Sequence, residues 1–263
     1  MSLDIDLKNK VALVTGVTDG IGQGVAQMLA RAGCRVAGCG RRDENSEGAK
    51  QFKALVKGEG AESLYVPCDV TKREDLAHFV EETVKAFGQL DIVISNAGAA
   101  VFQGVAGCSE EDWQANLDLN FNSHWRLAQL SQPHLLKASA GVIIIMGSNH
   151  AFSTIPGCFP YSATKAGLLG LVQSIAIEWG PDIRAVGLAP GFIDTRQNKN
   201  WFGSFPDPDK ERQRTEALHP VKRLGSVEEM GAFCAFLAST YASFATGTTF
   251  MVDGGRSALM QDD

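Results

Sequence analysis

Val11-Ala-Leu-Val-Thr-Gly16-Val-Thr-Asp-Gly20-Ile-Gly22 decides the fold of this chain. Val11 to Val14 are four apolar residues in a row, the length and character of a buried strand. A glycine turn follows at once. Beyond it Ile21, Val25, Met28 and Leu29 recur at helical spacing until Gly33, a suitable stop. Glycines between a strand and a helix let the backbone turn sharply and approach a pyrophosphate, while the helix N-terminus offers unpaired N–H groups and a positive dipole end. The spacing is G-x-x-x-G-x-G rather than the common G-x-G-x-x-G. Taken alone, the turn also fits a plain tight strand–helix connection.

The same alternation continues along the chain. Strands are predicted at Arg35 to Gly38, with the apolar run ending at Gly40, then at Ser63 to Val66, Asp91 to Ser95, Val142 to Met146, Ile183 to Leu188 and Thr249 to Val252. Between them Leu76, Phe79, Val80, Val84 and Phe87 mark one helix face. Further helices are predicted over about Glu110–Lys137, with Pro133 near the end, and over Tyr161–Trp179 and Val227–Leu237. Strand and helix in strict alternation give an α/β fold, one doubly wound parallel sheet with helices on both faces and right-handed crossovers. No repeat or linker divides the chain, so residues 1–263 are expected to form a single domain. Residues 196–220 break the rhythm with Trp201, Phe202, Phe205, Pro206 and Pro208 amid charges. That is long for a connection, and predicts either a substrate lid or a surface loop docked on the same or a neighbouring chain.

Composition narrows the function. With 44% hydrophobic and 21% charged residues the chain can bury a core without disulfide or metal support. A net charge of −6 argues against nucleic acid or an anionic membrane as the main partner. No apolar run reaches membrane-spanning length. Six cysteines without a C-x-x-C pair read as buried free thiols in a reducing compartment. Met1-Ser-Leu-Asp-Ile-Asp6 lacks the basic and apolar regions of a secretory leader, so the cytoplasm is the expected location. The histidines show no metal-ligand spacing.

Thr15-Gly16-x-x-x-Gly20-Ile21-Gly22, Asp69-Val70, Ser95-Asn96-Ala97-Gly98, Asn120, Ser148, Tyr161-x-x-x-Lys165 and Pro190-Gly191-x-x-x-Thr195 follow one another in order. With these motifs the chain resembles the short-chain dehydrogenase/reductase family over essentially its whole length. It departs from the family pattern at Ser95, where asparagine is usual, and at Ser123, where glycine is common; neither removes a reacting group. The resemblance implies a nicotinamide-dependent oxidoreductase, often a homotetramer, with Asn120, Ser148, Tyr161 and Lys165 as catalytic residues. It implies cofactor contacts at Gly16, Thr18, Asp19, Gly20, Ile21, Gly22, Asn96, Ala97, Gly98, Tyr161, Lys165, Pro190 and Gly191, at the backbone of Ile193 and at the hydroxyl of Thr195. Asp69 and Val70 are candidates for the adenine; a turn or helix-cap role for Asp69 with Thr71 is the open alternative.

The chemistry of these residue types agrees. Tyr161 and Lys165, four apart on a helix, share a face. A phenol normally titrates near pH ~10, and a nearby ammonium favours its phenolate, so Tyr161 is expected to approach neutrality and to exchange a proton with an alcohol or ketone. Ser148, at a strand's C-terminal end, is placed to hold the substrate oxygen. By resemblance, Lys165 also bonds the nicotinamide ribose, and Asn120 positions a water for a proton relay. His150, Cys158, Phe192 and Trp201 are candidate pocket residues, with packing roles as the alternative.

At the end of the second strand an acid would select NAD(H). Gly40 stands there instead, followed by Arg41, which can bind the 2′-phosphate of NADP(H) or lie solvated; Asp19, if turned inward, would oppose that phosphate. The substrate class expected is a secondary alcohol or ketone, with Asp207-Pro-Asp209 and Pro220 to Gly225 resembling sugar and polyol dehydrogenases. A 3-oxoacyl-thioester reductase that recognises an acidic carrier through Lys222-Arg223 is the enzymatic alternative. A dinucleotide sensor without catalysis is the other, although such a protein typically loses Tyr161 or Lys165.

Overall fold

The computed structural model describes residues 4–259. Met1 to Leu3, part of the segment on which the absence of a leader was read, lie outside them. Seven parallel strands form one sheet in the order β3-β2-β1-β4-β5-β6-β7. They are β1 Val11–Thr15, β2 Arg35–Gly40, β3 Ser63–Pro67, β4 Ile92–Ser95, β5 Gly141–Met146, β6 Ile183–Pro190 and β7 Thr249–Val252. The strand order reverses between β1 and β4, which opens a crevice at their C-terminal ends, the place where ligands bind in such sheets.

Both faces of the sheet are covered, so the central strands are apolar on both sides. Val14, Ile94, Ile144 and Leu188 face a core built with α1 (Gly20–Arg31), α2 (Glu47–Gly58) and α9 (Val227–Ala238). Leu13, Val93, Ile143 and Ala185 face the other core, with α3 (Arg73–Phe87), α5 (Ser123–Leu135) and α6 (Tyr161–Trp179). Among the described residues no helix is long and apolar enough to cross a membrane.

Three parts differ from the sequence reading. Helix α2 was not foreseen; its core face is only Ala49, Phe52 and Val56 among lysines and glutamates. The expected helix over 110–137 is interrupted: α4 (Glu110–Leu117) passes into a π-helical turn, Asp118–Asn122, before α5, which carries Pro133 inside it. Here the amide of Ser123 bonds the carbonyl of Asp118, five residues back, and its hydroxyl donates to the carbonyl of Leu119 at 2.6 Å. Such a bulge turns side chains by an extra step. Residues 196–220 are a pair of short helices, α7 (Arg196–Phe202) and α8 (Pro208–Ala217). Arg212 of α8 ties them to the β6 exit through Asp194 at 2.9 Å.

Helices α1 and α9 meet backbone to backbone. A Cβ on Gly24 would stand 2.5 Å from the carbonyl oxygen of Val227, and one on Gly231 would stand 2.5 Å from that of Gly24. Backbone oxygens cannot step aside, so an added methyl must force the helices apart. Gly231→Ala is expected to destabilise the protein by about 1–3 kcal/mol, the usual cost of overpacking. Urea unfolding checks this; a midpoint equal to wild type would show that the crossing has slack.

Candidate active site

The crevice is built at the ends of β1, β4 and β5. Thr15 staples its floor: its hydroxyl accepts from the amides of Asn96 at 2.9 Å and Ala97 at 3.0 Å, while Asn96 Nδ2 donates to the carbonyl of Thr15 at 2.8 Å. Above this staple the glycine turn runs with Gly16 at φ 75° and Gly20 at φ 60°, both in the left-handed region that side chains disfavour. A Cβ on Gly22 would run into the carbonyl oxygen of Gly16. Asp19 caps α1, its Oδ1 accepting from Gly20 N at 2.7 Å, and its Oδ2 accepts from Arg196 Nε at 2.7 Å. A close backbone turn at a helix N-terminus is a cradle for a pyrophosphate, and these residues fit a dinucleotide.

Around that turn the other expected contacts fall into place unevenly. Thr18 packs beside Gly40, and Val70 is buried. The Oδ1 of Asp69 is engaged by the amide and hydroxyl of Thr71, at 3.1 and 2.9 Å, so the turn role left open in the sequence is present. Gly191 sits against Asp253, where a Cβ would find no room. The carbonyl of Ile193 accepts from Asn198 Nδ2 at 2.7 Å, and Thr195 caps α7 by accepting from the amide of Asn198 at 3.3 Å. Thr195 also stands beside the phosphate turn: its methyl lies 3.4 Å from where a Gly20 Cβ would be.

The structure brings Ser148, Tyr161, Lys165 and Asn120 together at the same edge. Ser148 follows β5 and caps the short turn Asn149–Ala151, its hydroxyl accepting from the amide of His150 at 3.2 Å, and that hydroxyl is near enough to Tyr161 to pull its phenol down. Lys165, one turn after Tyr161, is buried and donates to the carbonyl of Met146 at 2.9 Å. Asn120, also buried, bonds Ala99 twice, accepting from its amide at 3.1 Å and donating to its carbonyl at 3.0 Å. A Cβ on Gly98 would lie 2.8 Å from Asn120 Oδ1 and 3.5 Å from Lys165 Nζ, so only a glycine lets these two groups share the space beneath the crevice.

The electrostatics correct one expectation. Tyr161 does not approach neutrality through the protein's own groups. Burial pushes its phenol up to about 12, against the opposite pull of the Ser148 hydroxyl. Burial likewise brings the Lys165 ammonium down to about 7. The lysine lies 5.7 Å from the tyrosine ring centroid and spends a hydrogen bond on Met146. Desolvation is the leading influence on both groups.

Around Tyr161 stand side chains the sequence singled out and others it did not. His150 packs edge-on to the Tyr161 ring at 6.1 Å, and its Nδ1 lies 3.2 Å from the hydroxyl of Thr154 and 3.3 Å from the thiol of buried Cys158. Burial, and after it the charge of Arg256, lowers its pKa. Phe102, half exposed, lies 5.9 Å from both His150 and Tyr161 and was not anticipated, since nothing in its local sequence marks it. Nor was the segment after β7, although it leaves the ligand edge of the sheet: Ser257 accepts from Asn149 Nδ2 at 3.3 Å. Phe192 and Trp201 meet at 5.5 Å within an aromatic cluster with Phe202 and Phe205.

The model of a family described as enoyl-(acyl carrier protein) reductase matches residues 16–257. The human protein named dehydrogenase/reductase SDR family member 4 is 38% identical over 252 residues, which is 95% of this chain and 88% of that one. The chain belongs to the short-chain dehydrogenase/reductase family. An uncharacterised oxidoreductase of Thermotoga maritima is 32% identical over 97% of this chain and all of that one. Among solved structures, aldohexose dehydrogenase of Thermoplasma acidophilum has a TM-score of 0.88 at 26% identity, covering 98% of this chain and 97% of that one. A short-chain type dehydrogenase/reductase of Mycobacterium marinum has a TM-score of 0.87 at 28% identity, covering 96% and 97%. As a short-chain dehydrogenase/reductase the protein is an oxidoreductase that uses a nicotinamide cofactor.

Burial of Lys165 has a measurable sign. Its pKa falls from 10.5 to about 7 on folding, so the fold is penalised in full below about pH 7, where the buried lysine must be charged. The penalty fades as the pH rises from 7 toward 10.5 and the unfolded chain also loses its proton. Lys165→Met is therefore expected to unfold at a higher temperature than wild type by a margin that is largest near pH ~6 and shrinks toward pH ~10. Thermal scans of the two cofactor-free proteins across that range check this; a margin independent of pH would mean the ammonium is not desolvated.

Proposed function

We propose that this protein transfers a hydride between NADP(H) and a secondary alcohol or ketone, with Tyr161 as the acid/base. The observation that carries this is the convergence of Ser148 on Tyr161, with buried Lys165 beside them, at the sheet edge where the glycine turn opens. Ser148 holds the substrate oxygen. Tyr161 takes the proton of an alcohol or returns it to a ketone, and Lys165 and Asn120 hold the polar floor through which that proton is replaced. A nicotinamide held at the glycine turn would supply the hydride acceptor or donor, and in its oxidised form would bring a positive charge. A positive charge near the two desolvated groups lowers both pKa values, moving Tyr161 in the direction catalysis needs.

A polyol or sugar is the substrate class best supported. Phe102 and Trp201 offer aromatic surface for C–H faces, while His150, Asn149 and Ser257 offer polar partners for hydroxyls, and residues 196–220 are the lid over them. The likeness to an aldohexose dehydrogenase points the same way. The acyl-carrier alternative gains little from Lys222 and Arg223. Lys222 donates to the carbonyl of Ala217 at 2.8 Å, and Arg223 pairs with Glu229 at 2.6 Å. The cytoplasm is the proposed location, in line with the free cysteines among the described residues. A homotetramer is the proposed assembly, with exposed Trp125, Ile177 and Phe244 as surface to cover.

Tyr161→Phe removes only the ionisable hydroxyl. On the best substrate from a panel of polyols and ketones it is expected to lower kcat on the order of 10³-fold and to leave the cofactor Kd within about twofold by fluorescence titration. Retention of a substantial part of wild-type kcat would exclude Tyr161 as the acid/base.

The preference for NADP(H) rests on Arg41, which with Arg42 lines a cavity of about 180 Å³ beside Thr18. A charge-assisted phosphate contact contributes roughly 1.5–3 kcal/mol. Arg41→Ala is thus expected to cost about tenfold in kcat/KM with NADPH and little with NADH. This is a cleaner test than an acid at position 40, because a Cβ on Gly40 would press to 2.7 Å from the Thr18 methyl. Equal losses with both cofactors would place Arg41 elsewhere than on the 2′-phosphate.

A further inference from the structure

The cavity beside Thr18 has a wall the sequence does not foretell. Thr18 comes from the phosphate turn, Arg41 and Arg42 from the exit of β2, Glu47 and Gly48 from the start of α2, and Arg196 from the first residue of α7. Arg196 thus enters the cavity from the segment read as the substrate lid, on the far side of the crevice from β2. Its guanidinium is mostly exposed, and its Nε donates to Asp19 Oδ2. The other oxygen of Asp19 is fixed by the amide of Gly20. The carboxylate that was expected to repel a phosphate is therefore turned to an arginine, and it holds that arginine at the rim. Three arginines line the cavity with Glu47 as the one carboxylate among the lining residues, and Asp19 pairs with Arg196 beside it, leaving a local excess of positive charge for an anion.

We infer that Arg196 is a third arginine for the 2′-phosphate of NADP(H), carried by the lid and parked on Asp19. The inference rests on the proposed preference for NADP(H). It assigns a specificity role to a residue outside the β2 exit, and it links two ends of the active site. Five residues after Arg196, Trp201 packs on Phe192, Phe202 and Phe205. Thr195, immediately before Arg196, caps the same helix and stands beside the phosphate turn. A phosphate that engages Arg196 therefore anchors α7 at its first residue, and with it the aromatic cluster beside the substrate. The nucleotide's distinguishing phosphate acts on the lid through Arg196, since the other arginines lining the cavity, Arg41 and Arg42, belong to a different segment.

The test uses 2′,5′-ADP, which carries the distinguishing phosphate, and 5′-AMP, which lacks it. Both are titrated calorimetrically against wild type, Arg196→Gln and Arg41→Ala. Arg196→Gln is expected to weaken 2′,5′-ADP about tenfold and to leave 5′-AMP within about twofold, with the difference shrinking at high salt. Limited proteolysis within residues 196–220 gives the second readout: 2′,5′-ADP should protect the wild-type segment and fail to protect that of Arg196→Gln. A wild type that binds the two nucleotides equally would overturn the NADP(H) reading itself. A wild type that discriminates, joined with an Arg196→Gln variant that binds and protects like wild type, would overturn the role of Arg196 alone. Equal weakening of both nucleotides in that variant would also overturn it, since the arginine would then serve the phosphate they share.

Discussion

The staple of Thr15 on Asn96 and Ala97 is the constraint on which the site depends. Two parallel strands that part company must leave unpaired backbone at the point where the sheet reverses, and buried unpaired amides are costly. Thr15 satisfies two of them with one hydroxyl. The turn above can then follow a path set by glycines alone, and α1 can aim its N-terminus into the gap. The crevice is thus a consequence of satisfying backbone groups at the reversal point.

The larger elements were legible because strands buried on both faces read as unbroken apolar runs and the helices between them keep a helical period. Val11 to Val14 and Val142 to Met146 are of this kind, and so is the face of α3. What escaped notice has a different origin. The π-helical turn around Asn120 reflects a contact with Ala99, distant in sequence, and the back-bonding of Ser123 is a weak local sign of it. Helix α8 has almost no apolar face and is held by ion pairs, Arg212 to Asp194 and to Glu216, so no periodicity announces it. Tyr161, Lys165 and Ser148 stand out in the sequence through their place in an ordered set of motifs, and the structure brings them together. Phe102, Ser257 and Arg196 do not stand out, because each reaches the crevice from a segment whose course only the tertiary structure reveals.

Burial works on Tyr161 and Lys165 in opposite directions, and the protein's own groups do not undo it. The ordinary ordering, in which an ammonium titrates slightly above a phenol, is inverted: about 12 for the phenol and about 7 for the ammonium. A neutral phenol beside a lysine near its own titration point costs less to bury than an ion pair would. On the proposed reading, the state suited to proton exchange is reached only in the company of a charged ligand.

The backbone contact between α1 and α9 has a consequence for the order in which the molecule is assembled. Gly24 lies just beyond the phosphate turn, and its partners Val227 and Gly231 lie near the other end of the chain. During synthesis the nucleotide-binding half emerges first and must wait for α9 with a bare ridge of backbone uncovered. Pairings so distant in sequence form slowly and leave intermediates prone to aggregation. The helix that presents the cofactor cradle therefore completes its packing only when nearly the whole chain has been made.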